Sequence, residues 1–198
     1  MEPVPVPEPV PEVTAILLAA GFSRRFGSAK LLKKLPDGIP VCIAAARALK
    51  QQVPNVVAVI RKDDDSLKAA FEEMSLQVVE NPRADQGMGT SLAAGVNATA
   101  DSAGWLIALA DMPWIEPATI GMLTEQLQQG ASIVAPVYQG DRGHPVGFAH
   151  RWGQQLASLK DDRGASRLLD QYVNELVLLD TQDPGVLKDV DFPEDMES

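Results

Sequence analysis

What this chain has little of narrows its chemistry before any motif is read. It has one cysteine, so neither a disulfide framework nor a thiolate metal cluster can form within it. That residue, Cys42, sits in the apolar run Val41-Cys42-Ile43-Ala44-Ala45-Ala46 and reads as a buried core thiol. Histidines number two, which leaves few candidates for proton transfer near neutral pH. Basic residues are outweighed, 17 Lys and Arg against 27 Asp and Glu, and a nucleic-acid surface needs the opposite balance. No apolar run approaches the roughly 18 residues of a membrane span. Residues 1–11 lack both the basic start and the continuous apolar core of a secretory signal. Their alternating prolines read as a polyproline-like, disordered tail over residues 1–12, followed by a single domain over 13–198. The expectation is a cytoplasmic chain with neither a membrane nor a nucleic acid as partner.

Against that acidic background, Arg24, Arg25, Lys30, Lys33 and Lys34 fall within eleven consecutive residues, which suits a small polyanionic ligand. Residues 13–19 form a β-branched and aliphatic run ending in a glycine turn, a buried strand. Asp37-Gly38 signals a small hairpin ahead of an alanine-rich helix over 41–51. Further strands are expected at 56–60, 76–79, 105–109, 133–137, 146–148 and 176–179. Asp63-Asp64-Asp65 offers N-caps for a helix with Leu67, Phe71 and Met74 on its apolar face. Other helices are expected over 90–98, from Pro117 through the Ile120, Leu123, Leu127 stripe to a stop at Gly130, and over 149–158 and 165–173. This alternation predicts a layered α/β domain whose mainly parallel sheet binds ligands beyond the carboxyl ends of its strands. The loops after Ala19, Val79, Leu109 and Val137 are therefore the places to look.

Leu18-Ala19-Ala20-Gly21-Phe22-Ser23-Arg24-Arg25-Phe26-Gly27-Ser28-Ala29-Lys30 follows the first strand. Small residues there let backbone N–H groups approach an anion, and Gly21 and Gly27 permit positive φ. It is neither a Walker A loop nor a G-x-G-x-x-G fingerprint. Gly87-Met88-Gly89-Thr90-Ser91 reads, taken alone, as a helix-capping turn. Asp111-Met112-Pro113 sets a carboxylate just past a central strand, where it suits Mg²⁺ or caps the next helix. Arg142-Gly143-His144-Pro145 is a turn carrying a histidine, and Asp189-Val190-Asp191-Phe192-Pro193-Glu194-Asp195 is a paired-carboxylate stretch close to the acidic terminus.

The first of these segments resembles the signature of the MobA-like nucleotidyltransferases, L-A-A-G-x-S-x-R-x-G-x-x-K. Leu18, Ala19, Ala20, Gly21, Ser23, Arg25, Gly27 and Lys30 fall in register with it. The Arg142 to Pro145 segment and the Asp189 to Asp195 stretch resemble others of the same family, with Phe192 standing where threonine is usual. The resemblance implies a three-layer Rossmann-like nucleotidyltransferase fold with a mainly parallel mixed sheet. It implies transfer of a nucleoside monophosphate to the molybdenum cofactor (molybdopterin) with release of pyrophosphate. Arg25 and Lys30 would bind the β- and γ-phosphates, and Leu18, Ala19, Ala20 and Gly21 would meet the base. Gly87, Thr90 and Ser91 would lie beside the nucleotide, Asp111 and Asp191 would hold Mg²⁺, and Arg142, Gly143, His144 and Pro145 would bind the acceptor. Ala20 is similar to the cytidylyl branch and so favours CTP, whereas L-A-G-G marks the GTP-using guanylyl branch. Alternatives are a sugar phosphate or methylerythritol phosphate as acceptor, or a non-catalytic nucleotide-binding protein. A molybdoenzyme or maturation chaperone is an implied protein partner.

Overall fold

The computed structural model describes residues 12–21, 30–192 and 195. Eight strands form one sheet: β1 (Val13–Leu18), β2 (Asn55–Arg61), β3 (Gln77–Asn81), β4 (Gly104–Leu109), β5 (Ile133–Tyr138), β6 (Asp141–Arg142), β7 (Val146–Ala149) and β8 (Leu176–Asp180). Their spatial order is β3-β2-β1-β4-β7-β5-β6, with β8 paired to β5. β3, β2, β1 and β4 run parallel, as do β5 and β8, while β7 is antiparallel to both β4 and β5. The chain winds from β1 outward to β3, then returns to lay β4 on the opposite side of β1. That reversal puts the ligand crevice beyond the carboxyl ends of β1 and β4.

All six residues of β1 are buried because helices cover both faces. Val13, Ala15, Leu17 and Ala19 pack with the helices α1 (Val41–Lys50), α2 (Asp65–Glu73) and α4 (Pro117–Gln128), through side chains such as Cys42, Phe71 and Leu123. Ile16 and Leu18 face the opposite layer, made by α3 (Met88–Ala98), α5 (Gly153–Ala157) and α6 (Ser166–Gln171), through Leu92, Val96, Leu156 and Leu168. Strand alternation thus sorts one segment into two cores. α3 lies close on the sheet because Gly95 has no side chain, and a Cβ there would stand 2.7 Å from Ile16 Cγ2. Cys42 is fully buried, and burial pushes its thiol up to about 12, so it is an inert core residue as expected.

Several expected elements are altered by long-range contacts. Glu12, assigned to the tail, is tied down: its carbonyl accepts the Ala103 N–H and the Ser102 hydroxyl. Residues 1–11 lie outside the described ones. The hairpin before α1 shrinks to a single bridge, Lys34 to Pro40. β6 is an unforeseen two-residue strand, made possible by positive φ at Gln139 and Gly140. Residues 149–158 are not one helix: β7 runs through Ala149, a tight turn follows, and α5 starts at Gly153. Asp64 caps α2, and Gly130, at φ +97°, ends α4. Among the described residues no helix is long and apolar enough to cross a membrane.

Candidate active site at the carboxyl edge of the sheet

β1 and β4 pair in register up to Leu18 and Leu109, and the Ala110 N–H donates to the Leu18 carbonyl at 3.0 Å. The chain leaving β4 therefore delivers Asp111 beside the chain leaving β1. Asp111 does not cap α4, whose N-cap is Glu116. Its carboxylate instead accepts from the Lys30 ammonium at 2.9 Å, and the same Nζ lies 3.2 Å from Asp191. The signature lysine and both expected metal carboxylates are thus brought together from three distant parts of the chain.

Sequence reasoning assigned no role to Asp189. Carboxylate oxygens of Asp111, Asp189 and Asp191 all lie within 4.8 Å of one another. The signal was the D-x-D spacing, which puts alternate residues of extended chain on one side while Val190, fully buried, points to the other. The Val190 N–H donates to the Asp111 carbonyl at 2.8 Å and fixes the register. Electrostatics follow from this crowding. Burial and then the charges of Asp191 and Asp111 hold the Asp189 carboxyl above its usual range. Burial opposes the charge on Lys30, yet hydrogen bonds and attraction from Asp111 and Asp191 outweigh it and raise the ammonium above its ordinary value. Hard carboxylate oxygens converging on a point already attractive to a cation fit a divalent metal of the magnesium kind.

β7 runs antiparallel to β4, so its start adjoins the end of β4 and brings residues 142–145 to the same edge. The Gly143 N–H donates to the Pro136 carbonyl, and Gly143 packs on the Val186 carbonyl where a Cβ has no room. Pro145 is buried and Arg142 exposed. The His144 Nδ1 is buried and has no partner in hydrogen-bonding geometry among the described residues. Burial pushes the His144 pKa down and Arg142 adds to the shift, while the nearby Asp111 charge and the Ile107 backbone oppose it, a balance that favours the neutral imidazole.

The other expected positions are distributed differently. Arg25, Ser23 and Gly27 lie outside the described residues. Gly21 is exposed and does not use the positive φ that glycine permits. The Ala19 N–H donates to the Val59 carbonyl, so among 18–21 only Ala20 and Gly21 lie past the ladder bonds. Gly87 does need positive φ, at +118°, and it packs against Asp162. α3 begins at Met88 rather than Thr90, and its Gly89 N–H donates to the Asp161 carbonyl at 2.8 Å. Thr90 and Ser91 are buried, with hydroxyls accepting from Asn81 Nδ2 at 2.9 and 3.0 Å. They hold the glycine turn to the end of β3. A recess of about 590 Å³ opens between residues 61–66 and 81–85. Two cations, Arg61 and Lys62, and four carboxylates, Asp63, Asp64, Asp65 and Asp85, line it.

A parallel-sheet switch point carrying a lysine and three converging carboxylates lies where open α/β sheets bind their ligands. Residues 15–176 match the model of the MobA-like NTP transferase domain, and the chain belongs to that family of nucleotidyltransferases. It is similar to purine catabolism protein PucB of Bacillus subtilis strain 168, 28% identical over 93% of this chain and 94% of that one. It is also similar to nicotine blue oxidoreductase of Paenarthrobacter nicotinovorans, 30% identical over 94% and 96%. Among solved structures, Rv0371c of Mycobacterium tuberculosis H37Rv superposes with a TM-score of 0.83 at 25% identity, over 94% of this chain and 96% of that one. A complex of Rv0371c with manganese superposes with a TM-score of 0.75 at 24% identity, covering 93% and 95%.

Proposed function

We propose that this chain transfers CMP from CTP to the phosphate of a molybdopterin-type acceptor, with Mg²⁺ and with release of pyrophosphate. The observation that carries the reading is the convergence of Lys30, Asp111 and Asp191 beside the Arg142 to Pro145 loop. One edge thereby holds groups for a triphosphate and, next to them, a loop for the acceptor. Cytidine is favoured by Ala20 in the opening motif.

An acceptor phosphate oxygen attacks the α-phosphorus in line, a new P–O bond forms, and the bond to the β-phosphate oxygen breaks. The acceptor phosphate is largely ionised at neutral pH, with a second pKa of roughly 6, so no strong base is required. This fits a site whose histidine is neutral. Lys30, with Arg25 from the opening loop, neutralises the departing pyrophosphate, and Ala20 and Gly21 bound the nucleoside end. Asp111, Asp189 and Asp191 would hold Mg²⁺, which when bound supplies charge stabilisation to the substrate phosphates. His144 and Arg142 meet the acceptor, Arg142 as a cation and His144 as an uncharged hydrogen-bonding group. A cytoplasmic location and delivery of the product to a molybdoenzyme or maturation chaperone complete the proposal.

The test is pyrophosphate release with each of the four NTPs, with and without molybdenum cofactor, in Mg²⁺ and in EDTA. CTP-specific, cofactor-dependent release is expected. GTP preference would move the chain to the guanylyl branch, and release with a sugar phosphate or methylerythritol phosphate instead would replace the acceptor. The name of the Paenarthrobacter relative speaks of redox chemistry in that protein. A parallel assay of NAD(P)H consumption separates that activity from nucleotidyl transfer here.

A further inference from the structure

The C-terminal segment that carries two of the three carboxylates has its own anchor, Asp183. This carboxylate is 2% exposed. Its Oδ2 accepts the Glu116 N–H at 2.8 Å and the Thr119 hydroxyl at 2.9 Å, and its Oδ1 accepts the Gly185 N–H at 2.8 Å. It therefore ties the chain after β8 to the start of α4, on the segment that leads from Asp111. Gly185 lies so close on the Trp114 carbonyl that a Cβ would have no room. Two further bonds connect this strap to the site. The Val186 carbonyl accepts the His144 N–H at 2.9 Å, and the Val190 N–H donates to the Asp111 carbonyl at 2.8 Å. Val186 and Val190 are both fully buried, pinning the strap at each end.

From this geometry we infer that Asp183 is a positioning residue that sets the metal carboxylates and the acceptor loop at a fixed spacing. The inference rests on the proposed reading of Asp111, Asp189 and Asp191 as metal ligands and of 142–145 as the acceptor loop. Asp183 touches neither ligand. It acts through the strap: Thr181, whose N–H donates to the Val137 carbonyl, begins it, and Asp191 ends it. Lys30 bridges Asp111 and Asp191, but three carboxylates share that one described ammonium, so their spacing also depends on how the strap is held. A buried acceptor satisfied by three donors supplies the hold. Asparagine keeps the shape at position 183 but replaces one acceptor oxygen with an NH₂, which then faces a donor.

The experiment compares full-length parent, Asp183→Asn, Thr119→Val and Ser102→Ala. Ser102 sits at the far edge of the sheet in a hydrogen-bonded knot of its own, so its variant loses stability without touching the strap. Free Mn²⁺ is followed by electron paramagnetic resonance during titration of the nucleotide-free proteins. Asp183→Asn is expected to weaken Mn²⁺ binding about tenfold, the scale seen when groups supporting metal ligands are removed. Thr119→Val, losing one of three donors, should weaken it less than Asp183→Asn does and serves if Asp183→Asn fails to fold. Amide exchange of Val190 and His144 should accelerate in both, with β1 and β4 unchanged. KM for the acceptor should rise along with the metal requirement. Ser102→Ala should match the parent in Mn²⁺ binding even where its melting temperature is lower. Equal weakening in Ser102→Ala would reduce Asp183 to a general stabiliser and overturn the inference. Parent-like binding in both strap variants would overturn it too. Absence of Mn²⁺ binding in the parent would remove the metal reading itself, a separate failure that takes the strap's function with it.

Discussion

The two edges of the sheet solve the same polar problem in opposite ways. At the amino edge of β1 and β4, Ser102 Oγ lies within hydrogen-bonding distance of the Glu12 carbonyl, Thr14 Oγ1 and the Gly104 carbonyl. His150 donates from Nδ1 to the Ser102 carbonyl at 2.7 Å and stacks on Trp105, whose indole N–H donates to Thr99. Donors and acceptors close on one another. At the carboxyl edge, three carboxylates crowd together with one lysine, and the His144 Nδ1 is buried without a partner. A polar network that closes on itself gives stability and a defined register. One that remains charged and incomplete is held together by the rest of the fold and is available to a ligand. The same fold thus sets His150 in a closed network and His144 near Asp111, with an Nδ1 that is buried without a partner among the described residues.

The largest expected break in this contrast comes from the carboxyl edge. Lys30→Ala removes the only described cation contacting the carboxylate cluster and, on the proposed mechanism, a group that neutralises the leaving pyrophosphate. Turnover should fall on the order of 10²–10³-fold, as for loss of one strong electrostatic stabiliser. Steady-state pyrophosphate release measures it, and the melting temperature in saturating Mg²⁺ should stay close to that of the parent. Near-parent turnover in a folded variant would take Lys30 out of the mechanism.

The amino edge should respond with stability alone. Ser102→Ala removes a buried hydroxyl whose single proton serves one of three nearby oxygens, the Glu12 and Gly104 carbonyls and Thr14 Oγ1, and a buried polar group left unsatisfied costs about 1–3 kcal/mol. Chemical denaturation should show that loss with kcat and KM unchanged. A drop in kcat would mean the two edges are coupled, against the separation drawn above.

Asp189 sharpens the comparison by giving stability and activity opposite signs. Its carboxyl is held above the ordinary value of 3.8, so the folded state retains a proton that the unfolded chain has released. In metal-free protein this contribution to stability is present below 3.8 and is lost as pH rises through the raised value. Asp189→Asn removes the repulsion, so its melting temperature in EDTA should exceed the parent's at neutral pH, with the gap closing toward acid. Turnover should meanwhile fall about tenfold, as a metal-supporting group is lost. A variant less stable than the parent at neutral pH would show that the cluster is not strained.

How far the sequence reveals this arrangement depends on the range of the interactions. β1, β2, β4, α2 and α4 are legible because apolar period, caps and glycine stops are local signals. Asp111 and Asp191 are legible through motif resemblance, and Lys30 likewise. Asp183 is not, because Asp183-Pro184-Gly185 is an ordinary turn signal whose acceptor role depends on Glu116 and Thr119, far away in sequence. Asp189 escapes for a related reason: which aspartates of an acidic stretch converge is set by Val190 seating in the core. The bonds that the Thr90 and Ser91 hydroxyls accept from Asn81 are not legible either, because no local pattern marks Asn81.

The smallest expected effect is at Ala20, and the structure changes its physical basis. A steric account of base choice has the alanine methyl narrowing the nucleoside space, so that glycine admits a purine. Ala20 is only 4% exposed, so its methyl faces protein rather than an open pocket. A Gly substitution then acts through the backbone, freeing the φ of the residue at which β1 hands over to the opening loop. Direct removal of a lining methyl discriminates by about 1–3 kcal/mol. An indirect backbone effect should fall at or below the bottom of that range, moving the CTP to GTP ratio of kcat/KM by less than about tenfold. Glycine should also lower stability by roughly 0.5–1 kcal/mol through backbone entropy, a loss visible in the same protein preparation. The measurement is kcat/KM for both nucleotides with molybdenum cofactor as acceptor, in parent and Ala20→Gly. A shift well beyond tenfold would mean that the methyl itself meets the base once nucleotide is bound. No shift, with the stability loss present, would move base selection to the recess between the ends of β2 and β3.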